Sequence, residues 1–327
     1  MAKPTVFSGI QPTGDLHIGN YLGAVRNWVN LQNSGEYNCT FCIVDYHSLP
    51  GNMTAKERRK WTVTLAMELL AAGIDPDKST FFIQSEVPEH TELGWIFQTL
   101  TPIAELERMT QYKDKSTRQA KNINAGLFAY PALQAADILL YGATHVPVGQ
   151  DQVQHIELTR DTARWFNNRY GEYFPETKPL LTDIPKVKSL LEPTAKMSKS
   201  HGEASYIALA DEPEVITKKL KKAVTASEGG SGSPGAENLI MLLKEFGATD
   251  LHKQYEAAEK DGSIRYGDLK ADLARVIGDH FAEFRARRKA LEADRDAIAE
   301  QLFAGSRRAS ERANATMQDV RKLVGLR

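Results

Sequence analysis

Two short stretches hold side chains that could act on phosphate. One is Pro12-Thr13-Gly14-Asp15-Leu16-His17-Ile18-Gly19-Asn20, the other Lys196-Met197-Ser198-Lys199-Ser200. In the first, glycines let a ligand approach the backbone, and Thr13 and His17 add side-chain donors. The helix that opens near Ile18-Gly19-Asn20 offers free N–H groups and positive potential to an anion. In the second, two ammonium groups can follow charge as it moves onto a leaving pyrophosphate. Such a reaction needs positioning and electrostatic stabilisation more than covalent help. Each stretch alone also fits a plain surface feature: a glycine-rich strand–helix turn with an exposed histidine, or a basic serine-containing loop. In this order in one chain, they point to ATP binding and to attack on its α-phosphate.

The elements that must hold these stretches have a regular order. Thr5-Val6-Phe7-Ser8 ends at Gly9, and the runs 39–44, 80–83 and 145–148 are likewise short and apolar. Apolar runs without alternation suit strands buried on both faces of a parallel sheet. Helical patterns lie between them. The clearest opens with the capping box Thr54-Ala55-Lys56-Glu57, carries Trp61, Leu65, Leu69 and Ala72 at helical spacing, and closes at Gly73. This alternation predicts an α/β domain over residues 1–200, a Rossmann-like doubly wound parallel sheet that binds ligands beyond the carboxyl ends of its strands. Strand-like runs stop after residue 200. Residues 201–327 read as a C-terminal helical bundle domain, whose last helix can pack back on the first. Glu212-Pro213-Glu214 opens one of its helices, with Val215, Ile216, Leu220 and Val224 as the apolar positions. The run 228–235 reads as a flexible loop, rich in glycine and serine.

Composition narrows the class further. The chain has 327 residues, 42% hydrophobic and 25% charged, which is ordinary for a globular protein with room for two domains. No stretch approaches the roughly 20 apolar residues of a membrane span, and Met1-Ala2-Lys3-Pro4 opens no signal-like run, so no membrane partner is expected. Cys39 and Cys42 sit in an apolar strand-like run without a second pair, and read as core residues in a cytoplasmic protein. A formal net charge of −1 gives no global attraction to a polyanion. Local basic clusters remain at Lys218, Lys219, Lys221 and Lys222, at Arg285, Arg287 and Arg288, and at Arg307 and Arg308. They are either solvated helix faces or a patchwise footprint for nucleic-acid phosphates.

The two motifs resemble the HIGH and KMSKS signatures of class I aminoacyl-tRNA synthetases, and further blocks resemble the tryptophanyl-tRNA synthetase family. These are the run 7–14, Cys42-Ile43-Val44-Asp45-Tyr46-His47, Glu107-Arg108-Met109-Thr110-Gln111, the run 135–141, Val146-Pro147-Val148-Gly149-Gln150-Asp151-Gln152, Ala223-Val224-Thr225 and the run 270–274. The resemblance implies an ATP site from Gln11, Pro12, Thr13, Gly19, Asn20, Gly149, Gln150, Asp151 and Val187 together with Lys196, Met197, Ser198, Lys199 and Ser200. His17, Lys115, Lys196 and Lys199 would act on the phosphates. It implies an L-tryptophan pocket lined by Phe7, Gln11, Gln134, Val146 and Val148, with Tyr130 and Gln152 at the amino group, His47 nearby and Asp137 accepting the indole N–H. It further implies Mg2+ carried by ATP without protein ligands, tRNA(Trp) as the partner of the helical domain, and a homodimer.

Asp137 also has a physical logic of its own. It lies in an apolar helical setting, where an unpaired charge is costly. Without the resemblance, a backbone N–H or a nearby arginine would be its expected partner. Three departures from the family pattern stand out: Gln134 replaces a common methionine, Gln150 replaces a usual glutamate, and the segment 185–189 is short. Three other readings compete: a tyrosyl-tRNA synthetase, a small-molecule adenylyltransferase, and a non-catalytic sensor of tryptophan or RNA. The intact second motif and long helical domain disfavour the adenylyltransferase, and two intact nucleotide motifs disfavour the sensor.

Overall fold

The computed structural model describes residues 3–110, 122–181, 185–225 and 233–326. The described residues form a five-stranded, all-parallel sheet in the order β3-β2-β1-β4-β5, with β1 Thr5–Ile10, β2 Asn38–Ile43, β3 Ser79–Ile83, β4 His145–Val148 and β5 Lys178–Leu181. The first four fall where short apolar runs predict strands. β5 was not expected: it is four residues long and contains Pro179. Its place at the sheet edge explains the tolerance, because an edge strand can lack one ladder donor.

In chain order the helices are α1 Ile18–Asn20, α2 Arg26–Ser34, α3 Ala55–Ala71, α4 Glu89–Gln98, α5 Ile103–Glu107, α6 Ala125–Leu139 and α7 Val153–Tyr170. They continue as α8 Pro213–Lys222, α9 Pro234–Glu245, α10 Thr249–Asp261, α11 Tyr266–His280, α12 Ala282–Ala293 and α13 Arg295–Val324. A π-helical turn, Tyr21–Val25, joins α1 to α2. α3 starts where its capping box predicts, with the Thr54 side chain accepting the Glu57 N–H and the Glu57 carboxylate accepting the Thr54 N–H.

The chain divides into two compact units, and the division does not fall at residue 200. One unit is Met1–Thr13, Asn27–Asp183 and Asp294–Arg327; the other is Gly14–Arg26 and Ile184–Ala293. Backbone pairing explains the second unit. Ile18 N–H donates to the Ile207 carbonyl at 3.0 Å and Leu209 N–H to the Leu16 carbonyl at 2.9 Å, which ties the first motif to residues beyond the second. The Lys188 N–H donates to Asn238 Oδ1 at 2.8 Å, and Val224 N–H to the Leu190 carbonyl at 2.8 Å. The first unit reclaims the C-terminal helix. Ala309, Ala313, Met317 and Val320 of α13 join Phe7, Phe82, Phe97 and Leu139 in one buried core.

Two details of the helical region correct the sequence reading. On α8, Ile216 and Leu220 are buried, but Val215 is exposed and Val224 lies past the helix end, also exposed. A narrow stripe suffices because α8 buries one side only. The end of the glycine-rich run is helical: Ser233 accepts the Ala236 N–H as a cap, and Pro234 and Gly235 form the first turn of α9. The rest of that run, from residue 228 to 232, lies outside the described residues.

Candidate active site

In the first unit the sheet order places β1 between β2 and β4, so chain connections leave in opposite directions on either side of the β1–β4 pair. Such a switch point opens a crevice beyond the carboxyl ends of the strands. Gln11, Pro12 and Thr13 follow β1, and Gly149, Gln150 and Gln152 follow β4. Gly149 is buried, whereas Gln150 faces solvent. Lys115 and the side chain of Asp151 lie outside the described residues.

Asp137 stands on the buried side of α6, only 1% exposed. Among the described residues, neither a backbone N–H nor an arginine bonds it. Instead Asp137 Oδ2 accepts from His47 Nε2 at 2.7 Å, and Oδ1 accepts from Gln84 Nε2 at 2.6 Å and from His90 Nδ1 at 2.6 Å. Burial alone would raise this carboxyl, but the two histidines outweigh it and hold the pKa at about 2. The group is therefore a fixed anion in an apolar frame. Phe7 of β1 stacks on Tyr141 with centroids 5.7 Å apart, and Val146 and Val148 of β4 pack in the same core. Tyr130 meets His47 edge-on at 6.2 Å, and its hydroxyl lies 3.0 Å from His155 Nε2. Gln134, one turn before Asp137, is half-buried. Of the residues expected at a tryptophan pocket, Phe7, His47, Tyr130, Gln134, Asp137, Val146 and Val148 all belong to the first unit. Gln84, His90 and Tyr141 were not assigned a role from sequence. The run 135–141 contains Tyr141, but nothing local announces a partner some 50 residues away.

The second unit holds three of the residues expected at the phosphates, His17, Lys196 and Lys199. His17 caps α1: its Nδ1 accepts the Asn20 N–H at 3.3 Å while Asn20 Oδ1 accepts the His17 N–H at 3.2 Å. Nδ1 is therefore unprotonated, and the neutral ring carries its proton on Nε2. Burial, with Lys199 and Lys196 acting in the same direction, lowers the His17 pKa to about 3. The ring is buried, unlike the surface histidine of the plain-turn reading. A Cβ on Gly19 would lie 3.0 Å from the His17 ring, so glycine there leaves room for the imidazole.

The second motif lies alongside. Met197 and Val187 are buried, the Met197 N–H donating to the Val187 carbonyl at 3.0 Å, so the short segment still meets the motif. Ser198 caps the turn Lys199–His201 by accepting the Ser200 N–H at 3.3 Å. Lys199 Nζ donates to the Asp15 carbonyl at 2.9 Å, bringing its ammonium onto the first motif; a Cβ on Gly14 would come within 3.2 Å of it. Lys196 is exposed. Among the described residues, no group of three or more His, Cys, Asp or Glu side chains is placed to hold a metal ion. Both cysteines are free and buried on β2, where burial pushes the Cys39 thiol up to about 11 and Cys42 well above its ordinary value.

The model of the tRNA synthetases class I (W and Y) family matches residues 1–282. The chain belongs to this family. As a class I synthetase it is 46% identical over 339 residues to the tryptophan–tRNA ligase of Oceanobacillus iheyensis, covering 98% of both chains. It is 42% identical over 330 residues to the tryptophan–tRNA ligase of Clostridium tetani, covering 99% of this chain and 96% of that one. The crystal structure of tryptophanyl-tRNA synthetase from Campylobacter jejuni, complexed with ADP and tryptophan, matches with a TM-score of 0.84 at 34% identity, over 98% of this chain and 100% of that chain. The five-stranded parallel sheet with flanking helices is the class I synthetase fold.

Proposed function

We propose that the chain is a tryptophan–tRNA ligase. The observation that carries this reading is the buried carboxylate of Asp137, held by His47, Gln84 and His90 between Ala136 and Ile138 of the apolar core that also contains Phe7, Val146 and Tyr141. An apolar pocket with one buried acceptor suits an aromatic ring that bears one N–H. Sites built to bond a polar group reject analogues lacking it by roughly 10⁴–10⁵, without an editing step.

The chemistry runs in two steps. A tryptophan carboxylate oxygen attacks the α-phosphorus of ATP in line; the bond to the bridging oxygen breaks, and pyrophosphate leaves. The 2′-hydroxyl of the terminal adenosine of tRNA(Trp) then attacks the acyl carbon, and AMP leaves. No side chain has to form a covalent bond, which suits catalysis by positioning. His17 supplies a neutral Nε2–H donor to phosphate oxygens. Lys196 and Lys199, with Lys115, neutralise charge as it gathers on pyrophosphate. Gln11, Thr13, Gly149 and Asp151 hold the nucleotide, and Tyr130 and Gln152 hold the amino group. No protein ligand group is assigned to Mg2+; bound to ATP, it would supply neutralisation of phosphate charge. The helical second unit engages tRNA through exposed basic side chains, two copies of the chain form a homodimer, and the tRNA partner places the protein in the cytoplasm. Among the described residues, no helix is long and apolar enough to cross a membrane.

The test is amino-acid-dependent exchange of pyrophosphate into ATP, run in parallel with tryptophan, tyrosine and phenylalanine. Exchange with tryptophan alone is expected. Exchange driven by tyrosine would overturn the pocket assignment, and folded protein that binds tryptophan without exchange would point to a sensor.

A further inference from the structure

A carboxylate offers four acceptor positions, two on each oxygen. At Asp137 they are not evenly used. Oδ1 receives both Gln84 and His90, whereas among the described residues Oδ2 receives His47 alone. The remaining capacity of this carboxylate therefore lies on Oδ2.

Both donors to Oδ1 are fixed from behind. Gln84 Oε1 accepts the Tyr46 backbone N–H at 3.1 Å, so the amide cannot turn its oxygen towards the carboxylate. His90 Nε2 lies 2.8 Å from the Tyr141 hydroxyl. Burial, helped by Cys42, Asp137 and Glu89 and opposed by Arg312, pushes the Tyr141 phenol well above its ordinary value. The hydroxyl thus keeps its proton and donates it to Nε2, which leaves the Nδ1 proton for Asp137. Gln84 and His90 are both 0% exposed. Such an arrangement is expensive to build unless every polar group is satisfied, and here each link has a partner.

We propose that Gln84, His90 and Tyr141 are positioning residues for indole recognition: they saturate Oδ1, lock the plane of the Asp137 carboxylate, and leave the open acceptor on Oδ2, beside His47, for the indole N–H. The proposal deepens the tryptophan-ligase reading and rests on it. The titratable groups that face Asp137 are His47, His90, Cys42 and Tyr141. Loss of the His90 donor therefore removes one of two histidine partners and raises the carboxyl towards the range where it takes up a proton.

The experiment compares tryptophan with β-(3-benzothienyl)alanine, in which sulfur replaces the indole N–H, in pyrophosphate exchange by wild type, His90→Leu, His90→Asn and Tyr141→Phe. Absence of tryptophan-dependent exchange in wild type would fail the ligase reading itself. With that exchange present, His90→Leu should raise the tryptophan KM about tenfold or more, the worth of one bond to a charged group, while the analogue KM moves little. The tryptophan KM of this variant should also rise as pH falls towards 5, where wild type stays flat. His90→Asn, whose amide nitrogen can take the place of Nδ1, should recover most of the preference for tryptophan. Equal losses on both substrates, or Asn no better than Leu, would reduce His90 to packing and overturn the proposal. If His90→Leu fails to fold, Tyr141→Phe decides: a fall in the tryptophan-to-analogue ratio supports the proposal, and an unchanged ratio overturns it.

Discussion

At His17, burial and two neighbouring ammonium groups act in one direction, and the imidazole stays neutral down to a pH of about 3. The sign for stability follows from proton counting. Between pH 6.5 and about 3 the unfolded chain carries a proton on this histidine that the folded chain refuses, so stability should fall as pH drops through that window. His17→Asn should flatten the decline, as read by melting temperature against pH; an unchanged slope would move the effect elsewhere. The lysines play a different part. Lys196→Ala and Lys199→Ala should each slow adenylate formation far more than they weaken tryptophan binding, as single-turnover and equilibrium titrations would separate; equal losses would count against a transition-state role. Both motifs stood out in the sequence through their order and separation, whereas Asp137 was singled out only through the family resemblance; its residues alone suggested a backbone N–H or an arginine as its partner. Gln84 and His90 were not legible, because only the parallel pairing of β2 with β3 and the packing of α4 bring them to Asp137.

Local rules read the elements well where the signal is local. The capping box opened α3 as expected, and Thr54→Ala should cost about 1 kcal/mol, measurable by urea denaturation. The limits of such rules are equally physical. Strand β5 is hidden by its proline, and Val215 on α8 follows helical spacing yet faces solvent. The contact of α13 with β3 depends on the absence of one carbon: a Cβ on Gly305 would lie 1.8 Å from the Phe81 carbonyl oxygen. The Phe81 backbone is held in the parallel ladder with β2 and cannot swing aside, so the helix itself must move. Gly305→Ala should therefore destabilise the first unit by about 1–3 kcal/mol. A melting temperature equal to wild type would show that α13 shifts without cost.

Across the whole molecule, the basic clusters sort into free and committed members. Lys219 lies 2.6 Å from Asp211 and 4.9 Å over the Tyr206 ring, so it serves the interior of its unit. Arg287 pairs with Glu283, and Arg308 donates to the Pro76 carbonyl at 2.9 Å. Lys218, Lys221 and Lys222 stay exposed on α8. Replacing these three with alanine should weaken tRNA binding and reduce its dependence on salt, by roughly one unit of log–log slope for each phosphate they neutralise. An unchanged slope would return them to the role of solvated side chains. The fold class was readable from the order of strands and helices. The split into units was not, because it depends on residues far apart in sequence sharing a backbone ladder, as Leu16 does with Leu209.

That split also sets a timetable for synthesis. The core around the sheet takes Ala309, Ala313, Met317 and Val320 from the last long helix, so a nascent chain that has emerged through Ala293 still lacks one wall of its first unit. The second unit has by then delivered all its residues to the solvent outside the ribosome. The strands made first are thus completed only when α13 follows, and until then their apolar face is a surface for chaperones to cover.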